Sequence, residues 1–195
     1  PSSAPATSPC CRTWQNKQKQ NAPVRWTGAF CNEVAMFSIT LLCMGKLKEK
    51  FYTAAAEEYS KRLRAFADFR IVELPEYRLP DDPNETQIAQ GLAREAEAIR
   101  KAIPKGAWLC VLTPEGRLLS SEELASALHS IKTGGRSAAC FLIGSSFGID
   151  PSIKAMADLK LSMSKMTFPH HLARVMALEQ LYRAESIQAG TKYHK

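Results

Sequence analysis

The sequence predicts an α/β fold: a parallel sheet with helices on both faces. Two observations carry that expectation. Five short apolar runs alternate with segments of helical periodicity, the order produced when crossover helices join parallel strands. The runs are also nearly continuous in apolar residues, as befits strands buried on both faces.

FSITLLCMG (37–45), bounded by Gly45, opens the sheet as a buried strand. From Lys48 to Phe66, the residues Tyr52, Ala55, Tyr59, Leu63 and Phe66 recur every three or four positions and predict an amphipathic helix. DFRIVELP (68–75) is the second strand. RLPDDPNET reads as a loop, and a helix from Thr86 to Ile103 turns Ile88, Leu92, Ile99 and Ile103 inward. WLCVLTPEG (108–116) is a third strand closing in a Pro/Gly turn. Ser120 and Glu123 form a capping box, each side chain satisfying an amide of the other's turn. The helix they start buries Leu124, Leu128 and Ile131 and stops at Gly134-Gly135. SAACFLIGSSFG (137–148) is the fourth strand with its glycine turn. A short helix near Pro151–Ala157 precedes the fifth strand, LKLSMS (159–164). The last helix spans 169–185, and a polar tail ends in Tyr193, His194 and Lys195.

The chain has 195 residues, 45% of them hydrophobic, enough for one packed domain and too many for a disordered protein. No apolar run reaches the roughly 18 residues of a membrane span. The net charge of +7 permits a polyanionic partner. Arg12, Lys17, Lys19 and Arg25 face only Glu33 within residues 1–35, a Pro/Ser/Ala/Gln/Asn-rich stretch without apolar periodicity. That stretch is expected to be a disordered or non-native leader, with Met36 the natural start of a domain over 36–195. It has no secretory apolar core; a transit segment is the other reading, and only that one makes the protein organellar rather than cytoplasmic. Cys10, Cys11 and Cys31 lie in the leader, whereas Cys43, Cys110 and Cys140 sit inside strand-like runs. With no C-x-x-C pair, the domain thiols are expected to be reduced, buried small hydrophobes.

Parallel sheets bind ligands beyond the carboxyl ends of their strands, which singles out Leu112–Gly116, Gly144–Gly148 and Ser162–Phe168. FLIGSSFG is no Walker A loop, lacking Gly-Lys-Ser/Thr, and no G-x-G-x-x-G, having Ser146 at the second glycine. It is a plain strand-to-helix turn or a place where backbone approaches a ligand. LSMSKMT offers the hydroxyls of Ser162, Ser164 and Thr167 and the amine of Lys165, either on the polar face of an edge strand or in a loop holding a small polar ligand. On the last helix Leu172, Val175, Met176, Leu178 and Tyr182 share one apolar face, with Glu179 in its middle and Arg183 one turn on. A carboxylate there is costly unless paired, so a Glu179–Arg183 pair that fixes packing is expected. Arg174 and Leu181 project from nearly the opposite side, so a subunit interface or the tail is expected to cover the helix as well. Adjacent His170 and His171 have no third ligand at useful spacing, so no metal is expected. Lys46, Lys48, Lys50, Lys61, Arg62 and Arg64 cluster around the first helix, diluted by Glu49, Glu57 and Glu58: a solvated face or a phosphate-contacting patch.

ITLLCMGKLKEKFY, EEYSKRL, FLIGSSFGID, LSMSKMTFPHHLARVMALEQLYRA and the closing YHK together resemble, across 36–195, the RlmH family. Its members are SPOUT-class methyltransferases that act on N3 of a pseudouridine in large-subunit (23S) ribosomal RNA. The resemblance implies a SPOUT fold with a C-terminal trefoil knot, S-adenosyl-L-methionine as cofactor, the ribosome as partner, and a homodimer with active sites at the subunit interface. It implies no metal and no membrane. The cofactor-binding positions it implies are Leu112, Gly144, Leu161, Ser162, Met163, Ser164, Lys165 and Met166. The catalytic ones are His194, Tyr193 and Arg174: the tail holds the nucleoside or takes its proton, and Arg174 meets phosphate or charge on the base. Ser145, Glu185 and Lys192 depart from the family's pattern, standing for a glycine, an aromatic or apolar residue, and a proline. A non-catalytic ribosome-binding relative and a flavodoxin-like nucleotide-binding module are the rival readings.

Overall fold

A computed structural model describes residues 36–194. The expected leader and its cysteines lie outside the described residues, as does Lys195. Strands and helices alternate throughout: β1 (Ser38–Met44), α1 (Lys50–Leu63), β2 (Asp68–Leu74), α2 (Glu85–Ala102), β3 (Trp108–Leu118), α3 (Ser121–Thr133), β4 (Ala138–Ile143), α4 (Pro151–Met156), β5 (Leu159–Ser162) and α5 (His170–Gln188). The strands form one parallel sheet in the order β2-β1-β4-β3-β5. The fold is the expected α/β sandwich. On one face α1, α3 and α5 bury Leu63, Leu128, Leu178 and Leu181 against Ile39, Leu41 and Phe141. On the other, α2 and α4 bury Ile99 and Ile153 against Leu42, Val111 and Leu142.

The helix starts follow from their caps. Ser120 Oγ accepts from the Glu123 amide at 3.2 Å while Glu123 Oε2 accepts from the Ser120 amide at 2.7 Å. Asn84 and Gln87 make the same reciprocal pair, which starts α2 at Glu85 inside the expected loop. α5 differs more from expectation. It continues to Gln188 because Glu185, 3% exposed, is neutralised by Lys132 of α3 at 2.5 Å. The departure at Glu185 therefore points into the protein, and the tail is shorter than expected. The stripe facing the core is Arg174, Ala177, Leu178, Leu181, Ala184 and Glu185, whereas Leu172, Val175, Met176 and Tyr182 are only half-buried.

The winding of β3 and β5 is tight. Leu161 pairs with Leu112 and again with Arg117, so residues 113–116 loop at the end of β5. A Cβ on Gly116 would lie 2.6 Å from the Leu161 carbonyl carbon, so only glycine fits there. Cys43, Cys110 and Cys140 are free and buried in the sheet. Burial pushes the Cys43 and Cys140 thiols up to about 12, which leaves them protonated and inert.

Candidate active site

The carboxyl ends of β3, β4 and β5 open onto one cleft of about 460 Å³. Leu112, Ile143, Leu161 and Phe168 give it apolar walls, and Thr113, Ser145, Ser162, Ser164 and Thr167 give it hydroxyls. The β5–α5 loop is folded by its own serines. Ser162 donates to the Ser164 carbonyl at 2.9 Å, and the Met166 amide donates to Ser164 Oγ at 3.0 Å. Lys154 and Glu115 bridge the mouth at 2.5 Å, and that ammonium, with the Thr113 hydroxyl, holds the Glu115 carboxyl down to about 2. His170, the second residue of the Pro169-His170 turn into α5, lines the cleft from the far side. Burial, then the neighbouring His171, lowers its pKa, so at neutral pH it is an uncharged imidazole.

The loop after β4 is clamped from α2. Glu95, buried, accepts from the Ser145 hydroxyl at 2.9 Å and from the Tyr77 amide at 2.8 Å. Burial raises its pKa. Glu76 takes the Ser146 amide at 3.2 Å and its hydroxyl at 2.8 Å. Ser145, the departure from the glycine pattern, thus fills a hydrogen-bonding role. Gly144 has no such freedom: a Cβ there would sit 2.5 Å from the Gly148 carbonyl oxygen.

A second, smaller cavity of about 270 Å³ shares Leu112, Leu161, Ser162 and Met163 with the first and reaches Ser121, Met176 and Gln180. From it a hydrogen-bond chain runs outward. Ser121 donates to Gln180 at 2.8 Å, and Gln180 donates to Glu179 Oε2 at 2.7 Å. Glu179 Oε1 accepts from Arg183 at 2.5 Å and from the Tyr193 hydroxyl at 3.1 Å. The Arg183 guanidinium lies 4.8 Å from the Tyr193 ring centroid. His194 Nε2 stands 2.7 Å from Glu122, and its Nδ1 is 3.5 Å from Arg183. Burial, with Tyr59 and Glu179 as neighbours, raises the Tyr193 phenol to about 12, so it remains a donor at any physiological pH.

The structure therefore gathers Leu112, Gly144, Leu161, Ser162, Met163, Ser164 and Met166 around one cleft, while Lys165 is exposed and does not line it. Tyr193 and His194 meet Arg183 and Glu179 on the outer side of α5 and do not line the cleft within one chain. Arg174 is elsewhere again. It is 1% exposed, pairs with Glu73 at 2.5 Å, and donates to the Gly45 carbonyl at 2.9 Å and the Met44 carbonyl at 3.3 Å. In that setting its guanidinium is held by protein groups at the wall of a separate cavity of about 450 Å³, which shares no residue with the cleft. Two residues that the fold brings to the cleft wall or to the tail, His170 and Arg183, do not stand out in the sequence as site residues. His170 suggests only a metal ligand there, although its place directly after a candidate loop is a usable signal. Arg183 suggests packing, and only the fold shows that the tail joins its carboxylate. Among the described residues no three His, Cys, Asp or Glu side chains are grouped as a metal ion would need, and no helix is long and apolar enough to cross a membrane.

A family model described as "Predicted SPOUT methyltransferase" matches residues 37–194. A protein of Moorella thermoacetica named "Ribosomal RNA large subunit methyltransferase H" is 43% identical over 160 residues, covering 82% of this chain and 100% of that one. Proteins of the same name match from Bifidobacterium adolescentis, at 45% over 157 residues, and Acetivibrio thermocellus, at 43% over 157. Each covers 80% of this chain and 99% of its own.

Proposed function

The chain belongs to the SPOUT methyltransferase family, and from that premise we propose that it methylates N3 of a pseudouridine in large-subunit ribosomal RNA, using S-adenosyl-L-methionine, as a cytoplasmic homodimer. The observation that carries this reading is the cleft where the ends of three strands converge. Its size lies within the roughly 300–1,000 Å³ of small-molecule sites. The cofactor fits the residues present. The apolar walls suit its purine and its sulfur substituents, and the Ser162–Met166 loop offers hydroxyls and main-chain groups to its sugar and amino-acid parts. When bound, the cofactor supplies an electrophilic methyl group on a good leaving group. The double pairing of Leu161 and the backbone contact at Gly116 are in keeping with a knotted C-terminal segment.

The chain's own residues hold, align and deprotonate. Loops anchored by Glu95, Glu76 and Ser164 fix one reactant, and such alignment can contribute roughly 7–11 kcal/mol. The outer face of α5, with half-buried Leu172, Val175, Met176 and Tyr182, suits a second copy of the chain. Packing there would bring the tail of one copy to the cleft of the other. Tyr193 would then donate to the nucleoside, and Arg183 would meet its phosphate. The imide at N3 must lose its proton, a task worth about 10²–10⁴-fold when a base is positioned for it. His194 in the tail is one acceptor. His170 is a second, favoured by its place in the cleft wall and its neutral state.

Transfer of labelled methyl to ribosomes lacking the modification tests the proposal. Label at N3 of one large-subunit pseudouridine is the expected result. Cofactor binding with no transfer would favour the non-catalytic ribosome-binding relative. Binding of a flavin or nucleotide with no affinity for ribosomes would favour the flavodoxin-like module.

A further inference from the structure

The start of α1 forms a surface that the proposed reaction does not employ. Phe51 is 65% exposed, and its ring lies 4.2 Å from that of Tyr52. Tyr52 meets His171 edge-on at 6.1 Å, and His171 meets His170 edge-on at 4.1 Å. His170 lines the cleft. An unbroken row of rings therefore runs from the cleft wall to solvent. Beside it stand Lys46, Lys48 and Lys50, all exposed and in no ion pair among the described residues. Glu49, between Lys48 and Lys50 in sequence, is turned toward His171, with Oε2 3.3 Å from Nδ1, and Glu73 accepts from the Leu47 amide at 3.3 Å.

A single exposed phenylalanine needs no explanation. One joined by rings to a reactive cleft and flanked by unpaired cations has the make-up of a single-strand nucleic-acid platform. Any base can stack on a ring, and lysines neutralise the phosphates between bases. An acidic peptide would engage the lysines but leave the rings without a purpose. Resting on the RNA substrate proposed above, we propose that Phe51 with Lys46, Lys48 and Lys50 docks the unpaired stretch of RNA next to the target nucleoside, one base stacking on Phe51. The row of rings then sets the distance between that base and the nucleoside in the cleft.

The test compares the full chain with F51A, F51W and K48A/K50A. Methyl transfer is followed against ribosome concentration and salt, cofactor affinity by calorimetry, and oligomeric state by sedimentation. F51A is expected to raise the KM for ribosomes about tenfold, with kcat and cofactor affinity unchanged, and F51W to restore it. K48A/K50A is expected to flatten the salt dependence by about 0.7 in log–log slope for each phosphate that no lysine then neutralises. Wild-type KM in F51A and K48A/K50A, or a loss confined to kcat, would overturn the surface. So would a variant that changes oligomeric state, since the surface would then belong to a second copy. If the wild type transfers no methyl, the proposed reaction fails and the surface is judged by fluorescence anisotropy with a single-stranded RNA oligomer. Weaker binding by F51A would support it, and equal binding would remove it.

Discussion

Arg174 and Arg183 stand on the same helix and each grips a glutamate, yet their surroundings differ. Arg174 is buried, and it ties α5 to Glu73 on β2 and to the carbonyls at the end of β1. Arg183, with 26% of its side chain exposed, shares Glu179 with the tail's Tyr193 and faces His194. The first pair holds chain segments together. The second lies nearer solvent and is bound to a terminal segment. Burial, and not charge, separates the two pairs.

Removing the buried clamp should have the largest effect. Arg174→Ala leaves two carbonyls without their donor and Glu73 with only the Leu47 amide, and is expected to cost about 2–3 kcal/mol, read from the denaturant midpoint. A loss below about 1 kcal/mol, the level of an exposed pair, would erase the distinction. Arg183→Ala should do the reverse, destabilising by less than about 1 kcal/mol while cutting methyl transfer about a hundredfold. If its rate loss merely followed its stability, the two arginines would be alike after all. Tyr193→Phe removes one donor and should slow transfer about tenfold, with cofactor affinity unchanged. Because the phenol is raised to about 12, the rate should show no limb from it near neutrality, and a limb that vanished in the variant would make Tyr193 the titrating group. On the cleft side, Ser145→Ala leaves one oxygen of buried Glu95 unpaired, and should weaken cofactor binding about fivefold. Equal affinity would show that Glu95 does not position the loop.

The smallest expected effect is one of pH. His170 is depressed from the ordinary 6.5, so the folded chain disfavours its protonation. Its contribution to stability is full above 6.5 and is lost as pH falls through the depressed value. Transfer that depends on neutral His170 should therefore fall only on the acid side of 6.5, and His170→Gln should flatten that limb. An unchanged limb would return the proton to His194.

Every strand and helix is legible in the sequence, because apolar runs such as FSITLLCM and cap pairs such as Ser120 with Glu123 are local signals. The sheet order is not, since which strands neighbour one another depends on crossovers that leave no local mark. The cleft loops are legible, because strand ends name them in advance of any coordinates. α5 misleads for a physical reason. Protein covers its Arg174–Glu185 side, and Leu172, Val175 and Met176 line the other, so apolar residues occur all round and no face dominates. On such a helix periodicity cannot say which polar residue is inside, and it is Arg174 that is buried in an ion pair while Arg183 reaches the tail.

The late position of α5 has a consequence for synthesis. Its Leu178 and Leu181 complete a core that α1 begins, and every wall of the cleft comes from Leu112 onward. While the chain is still being translated it has neither a finished core on that face nor a cleft. Until α5 has been made the protein can neither close that face nor hold a ligand in the cleft, and a message truncated before α5 yields a product that chaperones and proteases will recognise by its bare sheet.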